Sequence, residues 1–325
     1  MMAFWACALG LIMALYVVLD GFDLGVGILF PLAPGETVRR HMMDAVSPVW
    51  DGNETWLVMA AAALYGAFPP AYAILLSAFY LPVIVMLLGL VLRGIAFEFR
   101  NRSDRFRPVW TASFAAGSLV ASFAQGSTIG AFVVQVPVHD GRFAGWVLSW
   151  LSPFALLCGA GLCLGYAMLG AGWLIYKTKG DTRAFAYRVL PVVMGGVMLF
   201  LIAAAASAFG LDLRVTHRWL QRPELFVFPA IGAFALLAML YAILRQRDRV
   251  IYPAGVTMFI AAFLTMVLAV LPYIVPFSLT IAQAAAPPAS LAFLFWGAGI
   301  VVLPITLAYT GVVYFIFRGK VSPSP

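Results

Sequence analysis

Four acidic residues lie at the borders of the first two apolar runs of this chain. Asp20 and Asp23 follow the run from residue 3 to residue 19, and Asp51 and Glu54 open the next run. Each pair shares one helix face, because residues three or four positions apart are neighbours on a helix. Ionisable residues inside membrane segments are costly and mark sites where protons or ions bind. We therefore expect proton transfer here.

Arg93 and Glu98 lie near the end of the third apolar run and bring this set to six ionisable residues. A low-dielectric site favours the protonated form of a carboxyl group and a nearby arginine opposes this, so such a chain exchanges protons near neutral pH. A structural alternative stays open. Asp51 can stabilise the dipole of a first helical turn, and Asp20 or Asp23 can pair with Arg93 to hold two spans together.

Composition places these residues in a membrane protein. The chain is 64% hydrophobic and only 10% charged, whereas about 25% of the residues of a soluble domain are charged. This predicts an all-α, polytopic transmembrane helical protein. The net charge of +7 comes from basic residues in short loops between apolar runs, which membrane topology explains, so no nucleic-acid partner is expected.

Nine apolar runs are each close to the roughly 20 residues that cross a bilayer. No soluble insertion separates them, so residues 1–325 are predicted to form a single integral membrane domain. The helices are expected to form two four-helix groups plus one extra helix. The predicted spans are about 3–29, 48–67, 71–97, 109–134, 152–176, 186–210, 225–244, 251–277 and 290–317.

The distribution of basic residues predicts the orientation. All but four of the 20 lysines and arginines lie in the loops after spans 1, 3, 5 and 7 or in the C-terminal tail. The exceptions are Arg142, Arg214, Arg218 and Arg222. The positive-inside rule then puts the N-terminus outside and the C-terminus in the cytoplasm. All six ionisable residues of this set are accordingly expected to converge on the cytoplasmic side.

Residues that bind metals are few and poorly placed. The cysteines lie inside apolar runs without paired spacing, and the histidines fall in predicted loops, so we expect no metal site and no haem or copper on this chain. Motifs of P-loop ATPases, zinc proteases and serine hydrolases are missing too. The residues concerned are Cys7, Cys158, Cys163, His41, His139 and His217.

Three strings together resemble subunit II of the cytochrome bd family of quinol oxidases. They are DGFDLGVG at residues 20–27, PVWDGNETWL at residues 48–57 and RGIAFEFR at residues 93–100. The first two strings in combination are far more specific than either alone. The order and spacing of the remaining spans are also similar to that family. The compact length resembles its cyanide-insensitive branch.

This resemblance implies a division of labour between two subunits in a bacterial inner membrane. Subunit I would carry the haems b558, b595 and d, while this chain would bind none. The complex would oxidise quinol and reduce dioxygen to water without pumping protons, so the chemical protons would come from the cytoplasm. Small single-span subunits, lipids and a bound quinone are further expected partners.

The resemblance also implies roles for individual residues. Asp51 matches the acid of the family's proton pathway, and Asp23 and Arg93 match positions associated with oxidase function and haem-site integrity. Trp50 and Trp56 match aromatic positions that face quinone, lipid or the oxygen route, with simple packing as the open alternative. An acid is also usual at the position of Glu98, without an implied role.

Two other functions stay open from the residues themselves. A proton-coupled secondary transporter could use the same carboxylates, although transporters tend to place charged sites near the bilayer midplane between two related halves. A structural scaffold without a proton role is the second alternative. Gly161 and Gly165 form a GxxxG motif in span 5, which suits either contact with another subunit or packing within the chain.

Overall fold

The computed structural model describes residues 1–100, 102, 104–211 and 214–321, and most of them are helical. The thirteen α-helices are α1 Met2–Leu29, α2 Glu36–Val46, α3 Trp50–Ala67, α4 Pro69–Phe99, α5 Arg107–Val134, α6 Pro153–Lys177, α7 Gly180–Gly210, α8 Arg214–Gln221, α9 Val227–Leu244, α10 Asp248–Val270, α11 Ile281–Ala284, α12 Pro288–Leu294 and α13 Leu303–Ile316. A π-helical stretch, Phe295–Val302, joins α12 to α13. The predicted all-α fold is confirmed.

Two short antiparallel hairpins interrupt the helices. Strands β1 (Val138–His139) and β2 (Arg142–Phe143) follow α5, and strands β3 (Tyr273–Val275) and β4 (Leu279–Thr280) follow α10. The second hairpin starts just after Pro272, and the residue before a proline disfavours the helical conformation. As a result α10 ends at Val270, before the predicted span end at residue 277.

Eight helical segments of the described residues are long and apolar enough to cross a membrane. They correspond to all the predicted spans except 48–67. That run forms α3, a helix of 18 residues that is not one of these eight. The count of nine spans and the orientation stay predictions. A further difference is α2, an amphipathic helix that contains His41, where the sequence predicted a loop.

Contacts join α1, α3, α4 and α5 into one group and α6, α7, α9 and α10 into a second, and α1 and α5 pack against α6 between the two groups. Glycines allow α1 and α6 to approach closely. A Cβ atom on Gly25 would lie 1.7 Å from the carbonyl oxygen of Tyr166, and one on Gly21 would lie 2.6 Å from the Tyr166 ring. Gly25 therefore allows contact with the α6 backbone, and Gly21 leaves room for the Tyr166 ring.

The GxxxG motif of α6 also packs within the chain. A Cβ atom on Gly161 would lie 2.3 Å from the ring of Phe200 in α7, and one on Gly165 would lie 2.7 Å from Phe259 in α10. Small residues at these two positions leave room for neighbouring aromatic rings. Of the two alternatives for this motif, the structure shows the intramolecular one.

Candidate functional site

Arg93 lies at the centre of a buried ionic cluster that joins three helices. Its Nη1 atom donates to Oδ1 of Asp20 at 2.7 Å, and its Nη2 atom donates to Oε2 of Glu54 at 3.1 Å. Arg93 and Asp20 are both fully buried, whereas the side chain of Glu54 is 26% exposed. α4, α1 and α3 each supply one of these residues, so the cluster reaches the molecular surface only through Glu54.

Asp23 belongs to the same buried region but has a different partner from the predicted one. Its Oδ2 atom accepts a hydrogen bond of 2.7 Å from Nδ2 of Asn53, which also donates to the carbonyl oxygen of Leu19 at 3.2 Å. The Oδ1 atom of Asn53 accepts from the hydroxyl of Tyr314 at 2.9 Å. Asp20 alone of the two α1 aspartates pairs with Arg93.

The cluster contains three carboxyl groups and one guanidinium. Its charges cannot balance while all four groups are ionised, and an unbalanced charge in a low-dielectric interior is costly. Oδ2 of Asp20, Oδ1 of Asp23 and Nε of Arg93 are buried and bond to none of the described residues. The site therefore has both the charge imbalance and the free acceptor atoms that binding a proton requires.

Two of the six residues predicted to converge lie apart from this cluster. Asp51 is exposed in the first turn of α3, and its carboxylate bonds to no described residue. Glu98 is exposed near the end of α4 and pairs with Arg102 one turn along, at 3.1 Å. Asp51 still lies three residues before Glu54, on the same face of α3. Glu98 instead forms an ion pair with Arg102 at the surface.

The two tryptophans of the second string differ in environment. Trp50 is half-buried and stacks on Phe97 with ring centroids 4.8 Å apart, and the guanidinium of Arg93 lies 5.9 Å from its ring. Trp56 is completely buried, and its Nε1 atom bonds to none of the described residues. Only Trp50 retains an exposed surface.

Sequence reasoning missed two members of the network. Asn53 is part of the second string, but no role was predicted for it because an amide carries no charge. Tyr314 lies 261 residues from Asn53, and no local pattern predicts such a contact. A second ion pair was also missed, between Arg100 at the end of α4 and Glu36 of α2. It has two hydrogen bonds, at 2.8 and 2.9 Å.

Comparison with known proteins identifies the family. The family model described as cytochrome bd terminal oxidase subunit II matches residues 1–317. The chain belongs to this family. The eight apolar helices among its described residues and this membership make it a multi-pass protein of the bacterial inner membrane.

Three curated relatives support the assignment. The probable cytochrome oxidase subunit 2 of Haemophilus influenzae is 30% identical over 81% of this chain and 78% of its own length. Subunit 2 of the Escherichia coli cytochrome bd-I ubiquinol oxidase is 28% identical over 98% and 94%. The Bacillus subtilis cytochrome bd ubiquinol oxidase subunit 2 is 28% identical over 98% and 96%.

The fold matches as well. A chain of the bd oxidase of Geobacillus thermodenitrificans aligns with a TM-score of 0.74 and 17% identity, and the alignment covers 97% of this chain and 98% of that one. At this identity the match concerns the fold alone. It extends over both helix groups, so the fold is shared over the whole length compared.

The described residues of this subunit II chain contain no group of three or more His, Cys, Asp or Glu side chains that could hold a metal ion. His41 lies in α2, where its ring is 3.3 Å from the hydroxyl of Thr182, and His139 is exposed in the first hairpin. The side chain of His217 lies outside the described residues. Family membership implies that the haems belong to the partner subunit.

Proposed function

We propose that this chain is the non-haem subunit II of a cytochrome bd-type quinol oxidase and that it contributes proton uptake for the reduction of dioxygen to water. The observation that carries this proposal is the buried cluster around Arg93. It holds more acids than bases, and one of its acids, Glu54, is partly exposed. Protons can therefore enter the cluster at Glu54, while the rest of the cluster stays covered by the surrounding core.

The order of the acids suggests a path. Asp51 is exposed at the start of α3 and would collect protons from water. Glu54 follows one turn later and contacts Arg93, which contacts Asp20. Asp23 lies one further turn along α1. Among the described residues only the two bonds of Arg93 are direct, and a guanidinium does not release its proton. Arg93 would therefore hold Glu54 and Asp20 in place, while water would carry protons between the carboxylates.

The partner subunit I would hold the haems b558, b595 and d, which supply electron transfer to dioxygen when bound. This chain would support subunit I in the membrane and deliver protons towards it. Trp50, which is half-buried, is our candidate for contact with quinone or lipid, and the buried Trp56 is our candidate for the oxygen route. Small single-span subunits would complete the assembly.

An Asp51→Asn variant of the intact oxidase tests the proton role. We expect quinol-driven oxygen consumption to fall while the haem content of the purified complex is unchanged, because the amide has the same size but cannot transfer a proton. Glu98→Gln is the matched control, since this exposed acid pairs only with Arg102 among the described residues. Unchanged turnover in Asp51→Asn would leave a structural scaffold as the function.

Two further measurements separate assembly from conduction and oxidase from transporter. Loss of haem in Asp23→Asn or Arg93→Ala would assign those residues to assembly. A long-wavelength haem d absorption that co-purifies with the two-subunit complex, and is missing from this chain alone, is expected of an oxidase. A proton-coupled secondary transporter would show no such signal.

A further inference from the structure

A second series of buried hydrogen bonds lies beside the ionic cluster and has no role in the path described so far. The hydroxyl of Tyr166 in α6 donates to Oε1 of Gln125 in α5 at 2.9 Å. Nε2 of Gln125 donates to the hydroxyl oxygen of Tyr16 in α1 at 2.6 Å. All three side chains are at most 8% exposed, so the series crosses three helices inside the core.

The donors and acceptors of these hydrogen bonds fix the direction of donation, from Tyr166 through Gln125 to Tyr16. A glutamine amide has separate donor and acceptor ends, and both bonded ends are used here. Because the Tyr16 oxygen accepts from Gln125, its own hydroxyl hydrogen remains available for another acceptor. Tyr16 donates to no described residue, whereas Oδ2 of Asp20 is a buried acceptor without a described partner. The two groups are complementary.

Helix geometry places these two residues on one side of α1. Tyr16 and Asp20 are four residues apart in α1 and therefore neighbours on one face. Helical side chains lean towards the N-terminus, so both side chains extend in the same direction along α1 and the Tyr16 hydroxyl makes no direct bond to the Asp20 carboxylate. The Tyr166 ring also lies against α1 at Gly21, next to Asp20, where only a glycine leaves room for it.

We propose that Tyr166, Gln125 and Tyr16 form a directional chain that ends on Oδ2 of Asp20 through one bridging water, and that they are positioning residues for this carboxylate. The structure has no direct bond between Tyr16 and Asp20, and buried polar sites commonly use water for such a link. Asp20 would then be held from both oxygens, with Oδ1 on Arg93. The inference rests on the proposed proton role of Asp20.

The test uses the intact oxidase with Tyr16→Phe, which removes only the terminal hydroxyl. The matched control is Tyr176→Phe, because the Tyr176 hydroxyl bonds to none of the described residues while its ring packs 6.1 Å from Trp173. We expect Tyr16→Phe to lower turnover per haem about tenfold, as expected for loss of a hydrogen bond to a charged group. We expect the control to keep full turnover.

A double variant and infrared spectra distinguish positioning from packing. Tyr16→Phe should cause no further loss in an Asp20→Asn background, because both changes act on one carboxylate. In protein with isotope-labelled aspartate, Tyr16→Phe should shift one carboxylate band and Tyr176→Phe should shift none. Additive losses, or an unshifted band, would overturn the inference. Full turnover in Asp20→Asn would instead refute the proton role of Asp20, and the infrared band would still decide the positioning chain.

Discussion

Replacing Arg93 by methionine tests whether the ionic cluster holds the first three long helices together. The change removes the only cation of the cluster and leaves a shorter, unbranched apolar side chain. Asp20 is fully buried and loses its charged partner, whereas Glu54 is 26% exposed and can be solvated. Breaking a buried ion pair by removing one partner costs about 3–5 kcal/mol. Most of that loss should come from Asp20.

Arg102→Met provides the matched comparison. Arg102 also pairs with a glutamate at 3.1 Å, but both side chains are more than half exposed, and exposed pairs contribute about 0–1 kcal/mol. Unfolding of the purified oxidase by denaturant, followed by helix content and haem absorption, measures both variants. Asp20→Asn added to Arg93→Met should restore part of the loss, because it removes the unpaired charge.

Equal stability of Arg93→Met and Arg102→Met would refute this reasoning. It would mean that the buried carboxylates are compensated by something other than the guanidinium. A large loss without recovery in the double variant would point to packing of the arginine side chain instead. Only a large loss that Asp20→Asn partly reverses fits the charge balance derived from the cluster.

Two smaller predictions concern packing and pH. Gly25→Ala should destabilise the complex by about 3 kcal/mol or more, because the added Cβ atom would meet the Tyr166 carbonyl at 1.7 Å; Gly10→Ala, with nothing within 4 Å, should be neutral or stabilising in thermal unfolding. Burial raises the pKa of Asp44 above its usual range despite basic neighbours on the same helix. The folded state thus holds this proton more tightly than the unfolded state, and stability falls as pH rises above the usual aspartate range. Asp44→Asn should lack this fall, and its unfolding curves should approach those of the unaltered protein in acid; a constant difference at every pH would contradict the assignment.

The helices were predictable because their apolar runs are long, and the grouping of Asp20, Glu54 and Arg93 followed from three recognised strings near one end of their helices. Helix α2 was not predicted, because a short amphipathic helix between two spans has no long apolar run. The partners of Asp23 and Tyr16 were not predictable either. They depend on the rotation of distant helices about their axes, which the sequence pattern of highly apolar spans barely constrains.

The burial of individual side chains was also not predictable from the hydropathy of the span. Asp51 and Glu54 have the same charge and share a helix turn, yet one faces outwards and the other reaches Arg93. The sequence placed both at the start of a span but could not say which one the neighbouring helices cover. Pairing between helices, rather than the local string, decides this.

The bond between Tyr314 and Asn53 has a consequence for biosynthesis. Asn53 leaves the ribosome early, and the Tyr314 hydroxyl that donates to its side-chain carbonyl oxygen is made 261 residues later, in α13. Chains grow at about 5–20 residues per second, so the amide that orients Asp23 waits on the order of ten seconds or more for its second anchor. A product truncated before Tyr314 would lack that anchor altogether.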